Sequence, residues 1–161
     1  MHRRRLLILA CAGLAGCGFE LRQTPKLPFQ SIALVGFAPQ STLGTLLRQQ
    51  LAATSVLVFE APARADAVLE ALADGREKGV VASTSAGQVR EVQLRVKLRF
   101  RVATPSGKLL LAADELLLTR DMSYNETAAL AKAQEEAQLY RAMEEDITAQ
   151  VLRRLSAIKP A

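Results

Sequence analysis

Between Glu91 and Val102 apolar and polar side chains alternate without a break. Val92, Leu94, Val96, Leu98, Phe100 and Val102 stand against Glu91, Gln93, Arg95, Lys97, Arg99 and Arg101. A period of two puts one set in a core and the other in water, the signature of an antiparallel sheet with one covered face. Any fold of this chain must therefore bury one sheet face and leave a cationic one open. Thr104-Pro105-Ser106-Gly107 makes the turn, with Pro and Gly supplying its dihedrals. Lys108 to Thr119 then returns as the partner strand. Its run of leucines leaves the register open, so either Asp114 or Glu115 faces outward.

The rest of the chain supplies the cover. Ser31 to Val35 reads as a short buried strand closed by Gly36 and Pro39. Ser41 or Thr42 can cap a helix with Leu43, Leu46, Leu47 and Leu51 at helical spacing. Val56 to Phe59 is a candidate for a brief edge strand. Ala67 to Ala73 and Val80 to Ser83 read as one long strand, bent or bulged around Gly75 and Gly79. A last helix runs from about Glu126 to Ser156 with Asn125 as cap. Leu130, Ala133, Ala137, Tyr140, Ile147, Val151 and Leu155 form its apolar stripe, with Met143 close to it. Glu135, Glu136, Glu144, Glu145 and Asp146 lie mostly off it. The order β-α-β-β-β-α predicts an α/β two-layer sandwich, two helices packed on one face of a mostly antiparallel sheet.

Ahead of that domain stand Arg3, Arg4 and Arg5, the apolar stretch Leu6 to Leu14, and Leu14-Ala15-Gly16-Cys17. This is a secretory signal layout whose apolar part is too short to span a bilayer as a helix. Its ending resembles a bacterial lipobox, which implies cleavage before Cys17 and lipidation of its thiol. Cys17 is then a membrane anchor, since several acyl chains exceed what stable anchoring needs. Gly18, where inner-membrane lipoproteins commonly carry Asp, implies the outer membrane. The expected division is 1–16 signal peptide, 17–30 lipid-anchored tether, 31–158 a single α/β domain and 159–161 a tail.

Composition acquires its meaning once this leader is set apart. The 161 residues carry +5 with an apparent pI near 9.6. Without 1–16, the 145 that remain have 18 basic and 16 acidic side chains, only +2. A nucleic-acid partner loses most of its support. The mature chain has no histidine or tryptophan and a single cysteine, so no internal disulfide, Cys/His zinc site or imidazole relay can form. Ser83-Thr84-Ser85 lacks an activating Lys or His pattern, and Gly75, Gly79 and Gly87 are isolated rather than a phosphate loop. Neither a catalytic residue nor a metal or cofactor site is expected.

Several local features stand together: Cys17-Gly18-Phe19 with Leu21-Arg22, Gly87-Gln88 before the alternating strand, and Arg120 with Tyr124 after the last strand. Ala129-Leu130-Ala131-Lys132, Glu135-Glu136, Met143 and Arg154-Leu155 complete the set. In combination they resemble the LPS-assembly lipoprotein (LptE) family of Gram-negative outer membranes. Gln23 departs from the family, which often has Gly there, and Ser83 to Ala86 lacks a basic residue some members carry. The resemblance implies a non-enzymatic subunit that plugs the β-barrel translocon LptD, helps it fold, and contacts lipopolysaccharide on its way to the outer leaflet.

Hairpin topology places candidate contacts independently of the family. The start of the alternating strand lies beside the end of its partner, so Arg90, Arg120 and Lys132 should gather at one end, opposite Pro105. There they suit lipid A phosphates through charge-assisted hydrogen bonds, or pair with Glu91, Asp121 and Glu126. Arg95, Lys97, Arg99 and Arg101 form a second basic stripe, suited to a polar barrel wall or lipopolysaccharide, or simply a solvated sheet face. The alternatives from other classes are a lipid-anchored regulator of a periplasmic cell-wall synthesis enzyme and a carboxylate-dependent hydrolase.

Overall fold

The alternating segment forms β4, Val89–Ala103, the strand around which the rest is built. In the computed structural model, which describes residues 26–159, Val92 is 2% exposed and Leu94, Val96, Leu98, Phe100 and Val102 are fully buried. The signal segment, Cys17 and the tether as far as Pro25 lie outside the described residues, as do Pro160 and Ala161. β3, Ala67–Ser83, and β5, Leu109–Ser123, flank β4 in antiparallel pairing. The short strands β1, Ser31–Val35, and β2, Leu57–Phe59, extend the sheet beyond β3 in parallel, in the order β2-β1-β3-β4-β5. Helices α1, Thr42–Ala52, and α2, Ala129–Ser156, cover one face. The two-layer sandwich expected from the sequence is present, with the brief edge strand raising the order to β-α-β-β-β-β-α.

Local chemistry explains the joints. The Ser41 side chain accepts from the Gly44 N–H at 2.8 Å and caps α1. The two long hairpins close through the same device. Thr84 and Thr104 each donate N–H to the carbonyl four residues on and accept an N–H three residues on. Gly87 and Gly107 then take positive φ, as three-residue hairpin loops require. Gly36, at the end of β1, also has φ +80°, and a Cβ there would lie 2.3 Å from the Ala71 carbonyl oxygen. No other residue fits that approach without moving β3.

β3 does not bend at its glycines. Gly75 and Gly79 sit in regular register opposite Lys97 and Gln93. The slips fall beside them, with Leu72 and Val81 as extra residues on β3, both exposed. Such an insertion reverses the facing of every residue beyond it. Before Leu72 the helix-bearing face is supplied by Leu69 and Ala71; beyond it, by Asp74, Arg76 and Lys78, which oppose the buried Leu98, Val96 and Leu94. The register of β5 is also settled. Asp114 opposes Phe100 on the helix-bearing face, while Glu115 opposes Arg99 on the open one.

α2 departs from its expected stripe at both ends of the argument for it. Tyr140, Met143, Ile147, Val151, Leu152 and Leu155 are buried, but Leu130 is 78% exposed and Ala133 and Ala137 are also exposed. Glu144, expected off the stripe, is 2% exposed. In the first turns of α2, Glu136 pairs with Lys78 of β3 and Leu139 packs partly against the core, while Leu130, Ala133 and Ala137 stay exposed. Asn125 does act as a cap, accepting from Thr127 N–H, although for a 3-10 turn, Glu126–Ala128, that leads into the helix.

Candidate functional site

The basic residues singled out from sequence fall on two surfaces. At the end of the sheet opposite Pro105, the Arg90 carbonyl accepts the Tyr124 N–H at 2.8 Å, and Arg120 opposes Leu94 on the helix-bearing face. Lys132, in the first turns of α2, reaches the same end and donates to Ser123 Oγ at 3.0 Å and Glu135 Oε2 at 2.8 Å. Arg90 and Arg120 are exposed, and among the described residues neither has an ion-pair partner. Lys132 is the member of this trio already answered internally, by the neighbouring carboxylate.

The stripe on the open face is partly neutralised by its flanking strands. Arg101 donates to Glu70 Oε2 at 2.6 Å, directly across on β3, and Lys97 lies 3.2 Å from Glu115 on β5. Arg95 donates to the side-chain carbonyl of Gln93, two residues back along its own strand. Arg99 has no such partner among the described residues. Cross-strand acids thus relieve much of the repulsion that four like charges on one strand would suffer.

Sequence reading missed a third polar constellation, which joins the two layers. Arg76 places Nε 2.7 Å from Glu144 Oε1 and one terminal nitrogen 2.7 Å from Oε2, a bidentate pair, and the same nitrogen donates to Thr42 Oγ1 at 2.9 Å. β3, α1 and α2 are thereby tied at one guanidinium. Arg76 also lies over the Tyr140 ring, 5.0 Å from its centroid, and Tyr140 donates its hydroxyl to the Glu77 carbonyl at 2.9 Å. One step along β3, Lys78 pairs with Glu136 at 2.6 Å and faces the Tyr124 ring at 5.8 Å. Burial holds the Glu144 carboxyl above its ordinary pKa despite Arg76, with Asp74 adding to the rise. Burial, and next Glu136, likewise raise the Tyr140 phenol. The signal that could have found the cluster was a carboxylate at helical spacing inside the 140–143–147–151–155 stripe.

Arg76, Lys78, Lys97, Arg101, Lys132 and Arg154 are each paired with a carboxylate. No three His, Cys, Asp or Glu side chains among the described residues could share a metal ion, and no described helix is long and apolar enough to cross a membrane. These features define a two-layer α/β domain with one face sealed by helices, one left open, and cations without acidic partners at one end.

Comparison with known proteins narrows the class. The family model for lipopolysaccharide assembly, LptE, matches residues 29–155, and the chain belongs to that family. The LPS-assembly lipoprotein LptE of Pectobacterium atrosepticum is 30% identical over 98% of this chain and 87% of its own length. That of Yersinia enterocolitica is 29% identical over 99% of this chain and 79% of its own. Among solved structures, lipoprotein B from Nitrosomonas europaea superimposes with a TM-score of 0.72 at 31% identity, covering 87% of this chain and 91% of that one. The rare lipoprotein B from Shewanella oneidensis shares the fold, with a TM-score of 0.65 at 24% identity. The protein is therefore an outer-membrane lipoprotein of lipopolysaccharide assembly, a non-catalytic role.

Proposed function

We propose that the domain stands inside an LptD-like β-barrel as its plug, anchored by Cys17 in the periplasmic leaflet, and contacts lipopolysaccharide with the end that carries Arg90, Arg120 and Lys132. The observation that carries this reading is the separation of the two ends. Pro28, Phe29 and Gln30, near the start of the described chain, line a hollow with Thr104 and Ile158, and the basic trio lies at the opposite end of α2 and the hairpins. The 28 residues of α2 span about 42 Å at 1.5 Å each. A bilayer core is about 30 Å thick. A domain tethered at one leaflet thus has the length to present its far end to the other. Arg90 and Arg120, exposed and without acidic partners, supply donors for phosphate, and Lys132 can exchange Glu135 for a stronger anion. The open face, with Arg95, Lys97, Arg99 and Arg101, is the surface offered to a polar barrel wall.

Two experiments test the reading. Titration of the mature chain with lipopolysaccharide should show affinity falling steeply as ionic strength rises, because the contacts are ionic. Lys132→Asp and Arg120→Glu should each weaken it several-fold with unchanged circular dichroism; salt-independent binding, or unchanged affinity in both variants, rejects the phosphate contact. Pull-down of the lipidated protein from outer membranes should recover a large β-barrel in stoichiometric amount. Recovery without a barrel rejects the plug, and recovery of a peptidoglycan synthase would favour a regulatory role instead.

A further inference from the structure

At the Pro105 end β5 stays paired with β4 but bulges. Between Asp114 and Leu109 it carries two more residues than the β4 segment it pairs with, since Asp114 opposes Phe100 but Leu111 opposes Val102 and Leu109 opposes Ala103. Beside the bulge a cleft of about 590 Å³ lies between the start of β5 and the end of α2. Leu109, Leu110 and Leu111 line one wall, and Ala157 and Ile158 the other, with Lys108 and Lys159 at the mouth. Arg154 also lines it but is already paired with Asp114. A second hollow shares Leu110, Ile158 and Lys159 with the first and continues to Pro28, Phe29 and Gln30, where the chain arrives from its leader. That arrival point is held firmly. Asp66 accepts from the N–H groups of Gln30 and Ser31 and from the Ser31 hydroxyl, at 2.8 to 3.1 Å.

We propose that this cleft seats an anionic phospholipid from the leaflet in which the chain is anchored. Its phosphate would meet Lys108 and Lys159, and an acyl chain would run along Leu109, Leu111 and Ile158. The proposal rests on the reading of Cys17 as a lipid anchor. Eight residues lie between Cys17 and Lys26, nine steps along the chain and a reach of at most about 32 Å when fully extended. The cleft therefore operates within sight of a membrane surface. Leu109 is 58% exposed there, a cost in water that a lipid chain would remove. Lys108 and Lys159 are exposed and, among the described residues, have no acidic partner, so their charge is available to a headgroup. An apolar wall with cations at its rim fits an amphiphile better than a water-soluble anion.

The test removes the covalent anchor and asks whether the domain still finds lipid. The mature chain with Cys17→Ser is floated with vesicles of phosphatidylcholine alone or with 30% phosphatidylglycerol, at low ionic strength. Binding to the anionic vesicles is expected at least fivefold above the neutral ones. Lys108→Glu with Lys159→Glu should reduce it to the neutral level, and Leu109→Asn should reduce it at unchanged net charge. Arg48→Glu with Arg141→Glu, exposed positions away from the cleft, should retain it. Equal binding to both vesicle types, or equal loss in the two double variants, overturns the proposal. Lipopolysaccharide affinity of the Lys108→Glu, Lys159→Glu chain should stay within twofold. If it falls in step with vesicle binding, the cleft is a lipopolysaccharide site and the phospholipid assignment is wrong. Loss of lipopolysaccharide binding in the far-end variants leaves vesicle binding as a separate readout, so the two readings can fail independently.

Discussion

The two halves of α2 meet the same sheet by different physics. From Met143 to Leu155 the helix buries Met143, Ile147, Val151, Leu152 and Leu155 against the apolar face of β4. From Ala129 to Leu139 it buries no side chain fully; Leu139 packs partly against the core and Glu136 pairs with Lys78 of β3. Aliphatic burial is non-directional and contributes roughly in proportion to area, whereas exposed ion pairs contribute little and chiefly set geometry. One half of the interface supplies stability, and the other determines where the basic end is carried.

The largest break in that comparison should come from the aliphatic half. Ile147→Ala leaves a cavity in a fully closed site and is expected to cost about 3 kcal/mol in urea denaturation, within the usual range for such truncations. The cluster at Arg76 comes next. Arg76→Ala strands Glu144 in a buried site, and because the Arg76 side chain is 43% exposed the expected loss is about 2 kcal/mol, below that of a fully buried pair. Arg76→Met combined with Glu144→Leu should recover most of it, since an apolar pair has no desolvation to offset. Failure of the double variant to recover would mean that the guanidinium's bond to Thr42 matters more than its pairing.

The same carboxyl offers a pH test with a definite sign. Its folded pKa lies above the ordinary value of 4.5, so between the two values the native state holds more protons than the unfolded one. Glu144 therefore favours folding most at low pH, and that contribution is lost as pH rises from about 4.5 through the folded pKa. The stability of the native chain relative to Glu144→Gln should decline over that window and level off above it. A difference that grows with pH would show that Arg76 outweighs burial. The smallest effect is expected at the exposed end of the interface. Lys78→Ala should change stability by about 0.5 kcal/mol, less at high salt, as is usual for accessible pairs.

Much of this architecture was legible because its causes are local. The alternation in β4 needs only the pleat, the Thr104–Gly107 turn needs only turn dihedrals, and the Ser41 cap needs only an unsatisfied N–H. The basic end was legible for the same reason, since a hairpin necessarily returns Arg120 to the neighbourhood of Arg90. What escaped were consequences of register. Nothing in Ala71-Leu72-Ala73 announces an extra residue, yet it turns Arg76 and Lys78 toward the helices and Gly75 and Glu77 away. Glu144 reads as a solvent-facing acid until a guanidinium is known to await it. Leu130 and Ala133 keep helical spacing yet stay exposed.

Sequence by itself thus determined the two-layer sandwich, the sealed and open faces of β4, and the lipoprotein family the chain resembles, since periodicity and short motifs are written in neighbouring residues. Tertiary structure decided which charges remain available. Glu70, Glu115, Glu135 and Glu144 each claim a basic residue, and Arg90, Arg120 and Arg99 are left without one among the described residues. It also decided that β5 bulges against β4 beside a cleft at the end of α2. Both outcomes depend on strand register and on which side chains the fold brings together, where one inserted residue reverses a face.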